Sequence, residues 1–108
     1  MQTKDDSVLG AIVEHLVQIY RPERIYLFGS SARGDAGPDS DYDFMILVPD
    51  AAQPELRNPG IAYRALWRLG VAMDLLGWTR SQFDSRHHLR ASLPSTVLRE
   101  GRLLYAAA

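Results

Sequence analysis

Two apolar runs held apart by a polar stretch constrain this chain more than any other feature. RIYLF (residues 24–28) and DYDFMILV (41–48) are rich in β-branched and aromatic residues and read as buried strands. GSSARGDAGPDS (29–40), between them, has the Gly, Ser, Asp and Pro content of a loop, with room for one helical turn. Period-two alternation puts Tyr42, Phe44, Ile46 and Val48 on one face of the second strand. Asp41 and Asp43 then share the other face, near the strand's start.

The flanking sequence supplies helices. Leu9, Ile12, Leu16 and Ile19 recur at helical spacing over residues 7–20, with Asp5, Asp6 or Ser7 as cap and Arg21-Pro22 as terminator. Residues 49–60 read as a linker that would tolerate insertion, and 61–69 as a helix with Ile61, Ala65, Leu66 and Leu69 along its apolar stripe. VAMDLLGW (71–78) reads as a third strand with a single charge, Asp74. Thr79 and Gln82 have capping-box spacing and open a helix expected to run to about Arg90. Pro94 suits the start of a last helix, Gly101 its end, and RLLY (102–105) a closing strand. The order predicts an α/β (α+β) fold, a mixed β-sheet of three to four strands flanked by helices. At 108 residues it is expected to be a single domain, 1–108.

Composition excludes several chemistries. There is no cysteine, hence no disulfide framework, thiolate zinc site or cysteine nucleophile. No apolar run is long enough to span a membrane, and MQTKDDSVLG is unlike a secretory signal, so a cytoplasmic location is expected. Residues 1–54 carry net charge −5 and residues 55–108 carry +4. An acidic half can hold cations and a basic half can meet phosphates or an acidic partner, although folding commonly intermixes such halves.

The segment 29–44 has the parts a nucleoside triphosphate site needs. Gly29 and Ser30, straight after a strand, offer backbone N–H groups, close approach and a hydroxyl to phosphate. Asp41 and Asp43 project side by side and offer the oxygen ligands that magnesium takes. Two carboxylates that close repel unless a cation lies between them. Asp74 could bring a third carboxylate if its strand lies beside 41–48; spacing alone fits equally well an exposed or Arg-paired acid at a strand end. Other loop readings fail. Gly29 and Gly34 have Walker A separation, but Asp35 and Ala36 replace the required Lys and hydroxyl, and G-x-G-x-x-G is absent. Asp39, Asp41, Asp43 and Asp50 match EF-hand ligand positions, but Phe44 occupies the required glycine.

GSSARG followed by SDYDF resembles the G-S-x-x-R-G-x(n)-S-D-x-D pattern of the minimal nucleotidyltransferases (MNT), in the DNA polymerase beta-like superfamily. The element order and the EGRLLY ending extend the resemblance over roughly residues 7–105. The resemblance implies a nucleotidyltransferase fold, with Gly29 and Ser30 holding the triphosphate and Arg33 and Gly34 shaping the loop. It also implies that Asp41, Asp43 and Asp74 ligate two Mg2+ ions, Asp74 being the match marked only by strand context. The reaction implied is transfer of a nucleoside monophosphate, AMP from ATP or another nucleoside triphosphate, with release of pyrophosphate. Larger members of the superfamily carry an acceptor-binding domain for which this chain is too short, so a partner protein is the expected acceptor. MNT proteins of this size are similar to antitoxins of HEPN-type ribonuclease toxins, which implies transfer to a toxin hydroxyl. No direct nucleic-acid binding is expected, and a homo-oligomer is compatible. The alternative is a non-catalytic nucleotide-binding or toxin-covering module.

Residues outside the motif carry less. His87 and His88 point about 100° apart on a helix and make a poor metal pair. Arg64, Arg68, Arg80, Arg86 and Arg90 suit solvated helix faces as well as a basic face for nucleotide or partner. Trp67 and Trp78 read as core or interface, and Tyr20, Tyr26 and Tyr63 as packing residues.

Overall fold

The computed structural model describes residues 3–29, 42–52, 58–86 and 88–107. Helix α1 (Thr3–Tyr20) leads into strand β1 (Arg24–Phe28), and β2 (Tyr42–Val48) follows. Helix α2 (Gly60–Leu66) continues as a 3-10 turn (Trp67–Leu69) into β3 (Met73–Thr79). Helices α3 (Arg80–Asp84) and α4 (Leu93–Glu100) precede β4 (Arg102–Ala106). The sheet order is β3-β2-β1-β4. β1 pairs antiparallel with both β2 and β4, whereas β2 pairs parallel with β3 through the α2 crossover.

Alternation along the central strands builds two cores. Ile25, Leu27, Phe44, Ile46 and Val48 face α1 and α2, which contribute Leu9, Ile12, Leu16, Tyr20, Ala62 and Leu66. Tyr26, Met45 and Leu47 face the other way, against Phe83 of α3 and Val97 of α4. The expected face of β2 is therefore buried, and so is its opposite face beyond Asp43.

The helices depart from expectation in ways that burial explains. α1 begins at Thr3, so Asp5, Asp6 and Ser7 lie within it. Its deepest C-terminal residue is Tyr20, not Ile19. The Tyr20 hydroxyl donates to the Asn58 carbonyl (2.6 Å) and accepts from the Ala62 N–H (3.3 Å), tying the start of α2 to α1. In α2 the buried pair is Ala62 and Leu66; Ala65 is exposed and Leu69 partly so. The Thr79–Gln82 capping box forms (Gln82 N–H to Thr79 Oγ1, 3.2 Å; Thr79 N–H to Gln82 Oε1, 2.9 Å). The helix it opens stops at Asp84 rather than about Arg90. Among the described residues between Phe83 and Leu93 no side chain is buried, and Leu89 is exposed. A helix this short persists only through packing, so the chain breaks into three-residue turns (Arg86 N–H to Phe83 O, 3.2 Å; Leu89 N–H to Arg86 O, 3.0 Å). α4 is capped by Ser92 and carries Pro94 in its first turn, as expected. Gly101 follows it in extended conformation, at a position where a Cβ would lie 2.5 Å from the Val97 carbonyl oxygen and 2.8 Å from that of Leu27.

Phe83 is fully buried, stacks on Tyr26 at 5.6 Å and lies under the Arg24 guanidinium. Arg24 and Arg80 both reach Asp84 at 3.4 Å, and Arg80 reaches Glu23 at 3.3 Å. Such exposed pairs contribute little beside the aromatic burial. Phe83→Ala is therefore expected to destabilise the fold by about 3–5 kcal/mol, read as a lowered urea midpoint.

Asp50, just after β2, accepts from both the hydroxyl and the backbone N–H of Ser81. These bonds hold its carboxyl below the ordinary carboxylate range. A group depressed on folding contributes stability above its unfolded value, and that stability is lost as pH falls through the folded one. Asp50→Ala is expected to be less stable than the parent at neutral pH. The gap should narrow as acid denaturation is followed below about pH 4.

Candidate functional site

The antiparallel pair β1–β2 places Phe28 opposite Asp43, and the parallel pair β2–β3 places Asp43 opposite Asp74. One end of the sheet thus gathers the carboxyl end of β1 and the amino ends of β2 and β3. Residues in register on adjacent strands project from the same face, with strands about 4.8 Å apart. Asp43 and Asp74 are such a pair, on the face that Met45 and Leu47 share further along β2. Asp43 is half-buried and Asp74 exposed.

Gly29 follows β1 directly with φ of 77°, a conformation that side-chain-bearing residues rarely adopt. A Cβ there would overlap the Asp43 carboxylate oxygen Oδ2. The glycine therefore both turns the chain and lets the first residue of the loop lie against the acid. Ser30, Arg33, Gly34 and Asp41 lie outside the described residues.

Of the expected site residues, the structure brings together Gly29, Asp43 and Asp74. Asp74 is indeed near a strand start and exposed, so it carries no burial penalty, and it is also the register partner of Asp43. Among the described residues no group of three His, Asp or Glu side chains is placed to hold a metal ion. The donor set that is present is all-oxygen, two carboxylates on one face beside a cradle that a Cβ would fill. That set fits a hard divalent cation such as magnesium, which takes oxygen ligands.

Two further features, one toward the far end of β3 and one around α2, are not legible from the motif. Along β3, on the face of Asp74, Leu76 is partly exposed and Trp78 half-buried. A concavity of about 340 Å³ lined by Gly77, Trp78, Gln82 and Arg86 lies there. Around α2, Trp67 is 83% exposed, so it is not a core residue. Tyr63 is more than a packing residue: it is partly exposed, and its hydroxyl accepts from the Leu75 N–H at 3.0 Å. Tyr20 and Tyr26 are buried as expected. Arg80 is engaged by Glu23 and Asp84, which removes it from any common basic face. His87 lies outside the described residues, and His88 is exposed.

Comparison with solved structures gives the same fold. A toxin–antitoxin with AMP-PNP is 24% identical over 90% of this chain and 73% of its own, with a TM-score of 0.60. A point mutant of the MntA–HpeT toxin–antitoxin is 25% identical, covering 88% and 70%, with a TM-score of 0.56. A tri-AMPylated Shewanella oneidensis HEPN toxin in complex with MNT antitoxin is 21% identical, covering 99% and 74%, with a TM-score of 0.54. No curated protein matches the chain. Among the described residues no helix is long and apolar enough to cross a membrane. The nucleotidyltransferase domain family matches residues 9–104. With that match spanning nearly its whole length, and the turn and two acids meeting at one end of its mixed sheet, the chain belongs to the nucleotidyltransferase domain family.

Proposed function

We propose that this protein transfers AMP from ATP to a hydroxyl of a partner protein, acting in the cytoplasm as the antitoxin of a HEPN/MNT pair. The observation that carries this reading is the meeting of Gly29, Asp43 and Asp74 at one end of the sheet. The substrate and acceptor classes in this reading are supported by two of the similar structures, one with AMP-PNP and one with an AMPylated HEPN toxin.

In this reading Gly29 and Ser30 seat the triphosphate against backbone N–H groups, and Arg33 and Gly34 shape the loop around it. Asp41, Asp43 and Asp74 would hold magnesium. Held by these acids, a divalent cation would supply positive charge against the charge developing on the phosphates. Asp74, exposed on the outermost strand, takes the proton of the acceptor hydroxyl. The hydroxyl oxygen bonds to the α-phosphorus, the bond to the bridging oxygen breaks, and pyrophosphate leaves with the electron pair. The turn at Gly29 fixes the triphosphate relative to Asp43, so that attack and departure lie in line.

The test is incubation with ATP, magnesium and the HEPN-type partner, followed by intact-mass measurement of that partner. Gain of one AMP, abolished by EDTA, is expected. Asp43→Asn and Asp74→Asn should each lower the transfer rate more than ~100-fold, since even outer-shell partners of a metal are worth ~10–100-fold. Neutralisation of the toxin that survives both substitutions, without any mass gain, would instead make the protein a covering module. Gly29→Ala forces a side chain into left-handed backbone and onto Asp43. It should abolish transfer while the far-ultraviolet circular dichroism stays that of the parent.

A further inference from the structure

Trp67 and Tyr63 are four residues apart, a spacing that stacks side chains on one helix face. Both are exposed, Trp67 at 83%. With Leu66, Val71, Ala72 and Met73 they line a concavity of about 520 Å³. Its shape is fixed by backbone contacts. The Tyr63 hydroxyl accepts from Leu75 N–H, pinning the helix to β3 one residue beyond Asp74. Gly70, at φ 62°, turns the chain from the 3-10 helix toward β3, and its N–H donates to the Trp67 carbonyl at 3.2 Å. Met73 lies in the wall, and Asp74 is its chain neighbour, about 3.8 Å away at Cα.

The segment that lines the concavity carries positive charge, and the first acid after it is Asp74. Arg64 and Arg68 are exposed on the same segment, and residues 56–73 contain no Asp or Glu. Trp, Tyr and Arg are the side chains that most often anchor protein interfaces. An apolar hollow on a segment with two exposed arginines complements a segment that carries carboxylates around an apolar side chain.

Resting on the transfer reading above, we infer that this face seats an acidic segment of the acceptor protein. One aromatic or leucine side chain enters the hollow, and flanking carboxylates meet Arg64 and Arg68. β3 is an edge strand, so a segment held there leads past its rim to Asp74.

The experiment uses the full chain and a fluorescein-labelled peptide of glutamates with one leucine and one tyrosine, followed by fluorescence anisotropy. The parent should bind it, and binding should weaken as salt is raised. Trp67→Ala should weaken it at least ~10-fold, with partial recovery in Trp67→Tyr. Arg64→Glu with Arg68→Glu should weaken it similarly and remove the salt dependence. Trp67 is largely exposed, so its loss is not expected to unfold the protein, and circular dichroism verifies this. No binding by the parent, equal binding by the variants, or tighter binding of labelled oligouridylate would overturn the proposal. Binding of a fluorescent ATP analogue is titrated on the same samples. Its absence in the parent would overturn the transfer reading separately, whereas its loss in Trp67→Ala alone would make the hollow a nucleobase seat and overturn the docking proposal.

Discussion

Strand β2 makes two different pairings, and the rest of the molecule depends on that. Antiparallel bonding to β1 on one side brings the end of β1 to the start of β2. Parallel bonding to β3 on the other side brings two strand starts together. Were both pairings antiparallel, the start of β3, and Asp74 with it, would lie at the opposite end of the sheet from Asp43. The parallel pair needs a crossover, which α2 provides, and helices on both faces bury β2 almost completely. A slip of one residue between β2 and β3 would turn Asp74 to the other face and bring Met73 or Leu75 beside Asp43. The register is held by the side chains that alternate into the two cores.

Much of this was legible in the sequence because the signals were local and mutually consistent. Both central strands are short apolar runs with punctuating loops, and their bounds follow from that contrast. The capping box at Thr79 and the stop at Gly101 also depend on neighbours in the chain. What failed depends on distant packing. Helix α3 has a good start signal, yet its length was set by Phe83 being the last side chain with a core to enter. Tyr20 displaced Ile19 because its hydroxyl finds two backbone partners in the start of α2. Trp67 reads from sequence as core or interface, and its 83% exposure removes the core alternative, which residue type alone does not decide.

The same division holds for the candidate site. Residue type and strand context point to Gly29, Asp43 and Asp74. Their juxtaposition is a property of the sheet: alternation along one strand cannot say which strand lies next to it. Conversely the Tyr63–Trp67 hollow carries no motif. The signal that could have found it is the run of residues 56–73, which interleaves aromatics with arginines and omits acids.

The bridging phenol of Tyr20 has a consequence for how this scaffold can vary. Because it grips the Asn58 carbonyl and the Ala62 amide from α1, helix α2 takes its position from another helix. An insertion ahead of Asn58 leaves those two hydrogen bonds in place. Extra residues spliced in there would lengthen the path without relocating its destination, so related proteins are free to grow recognition elements at that point while the parallel strand pair stays as it is.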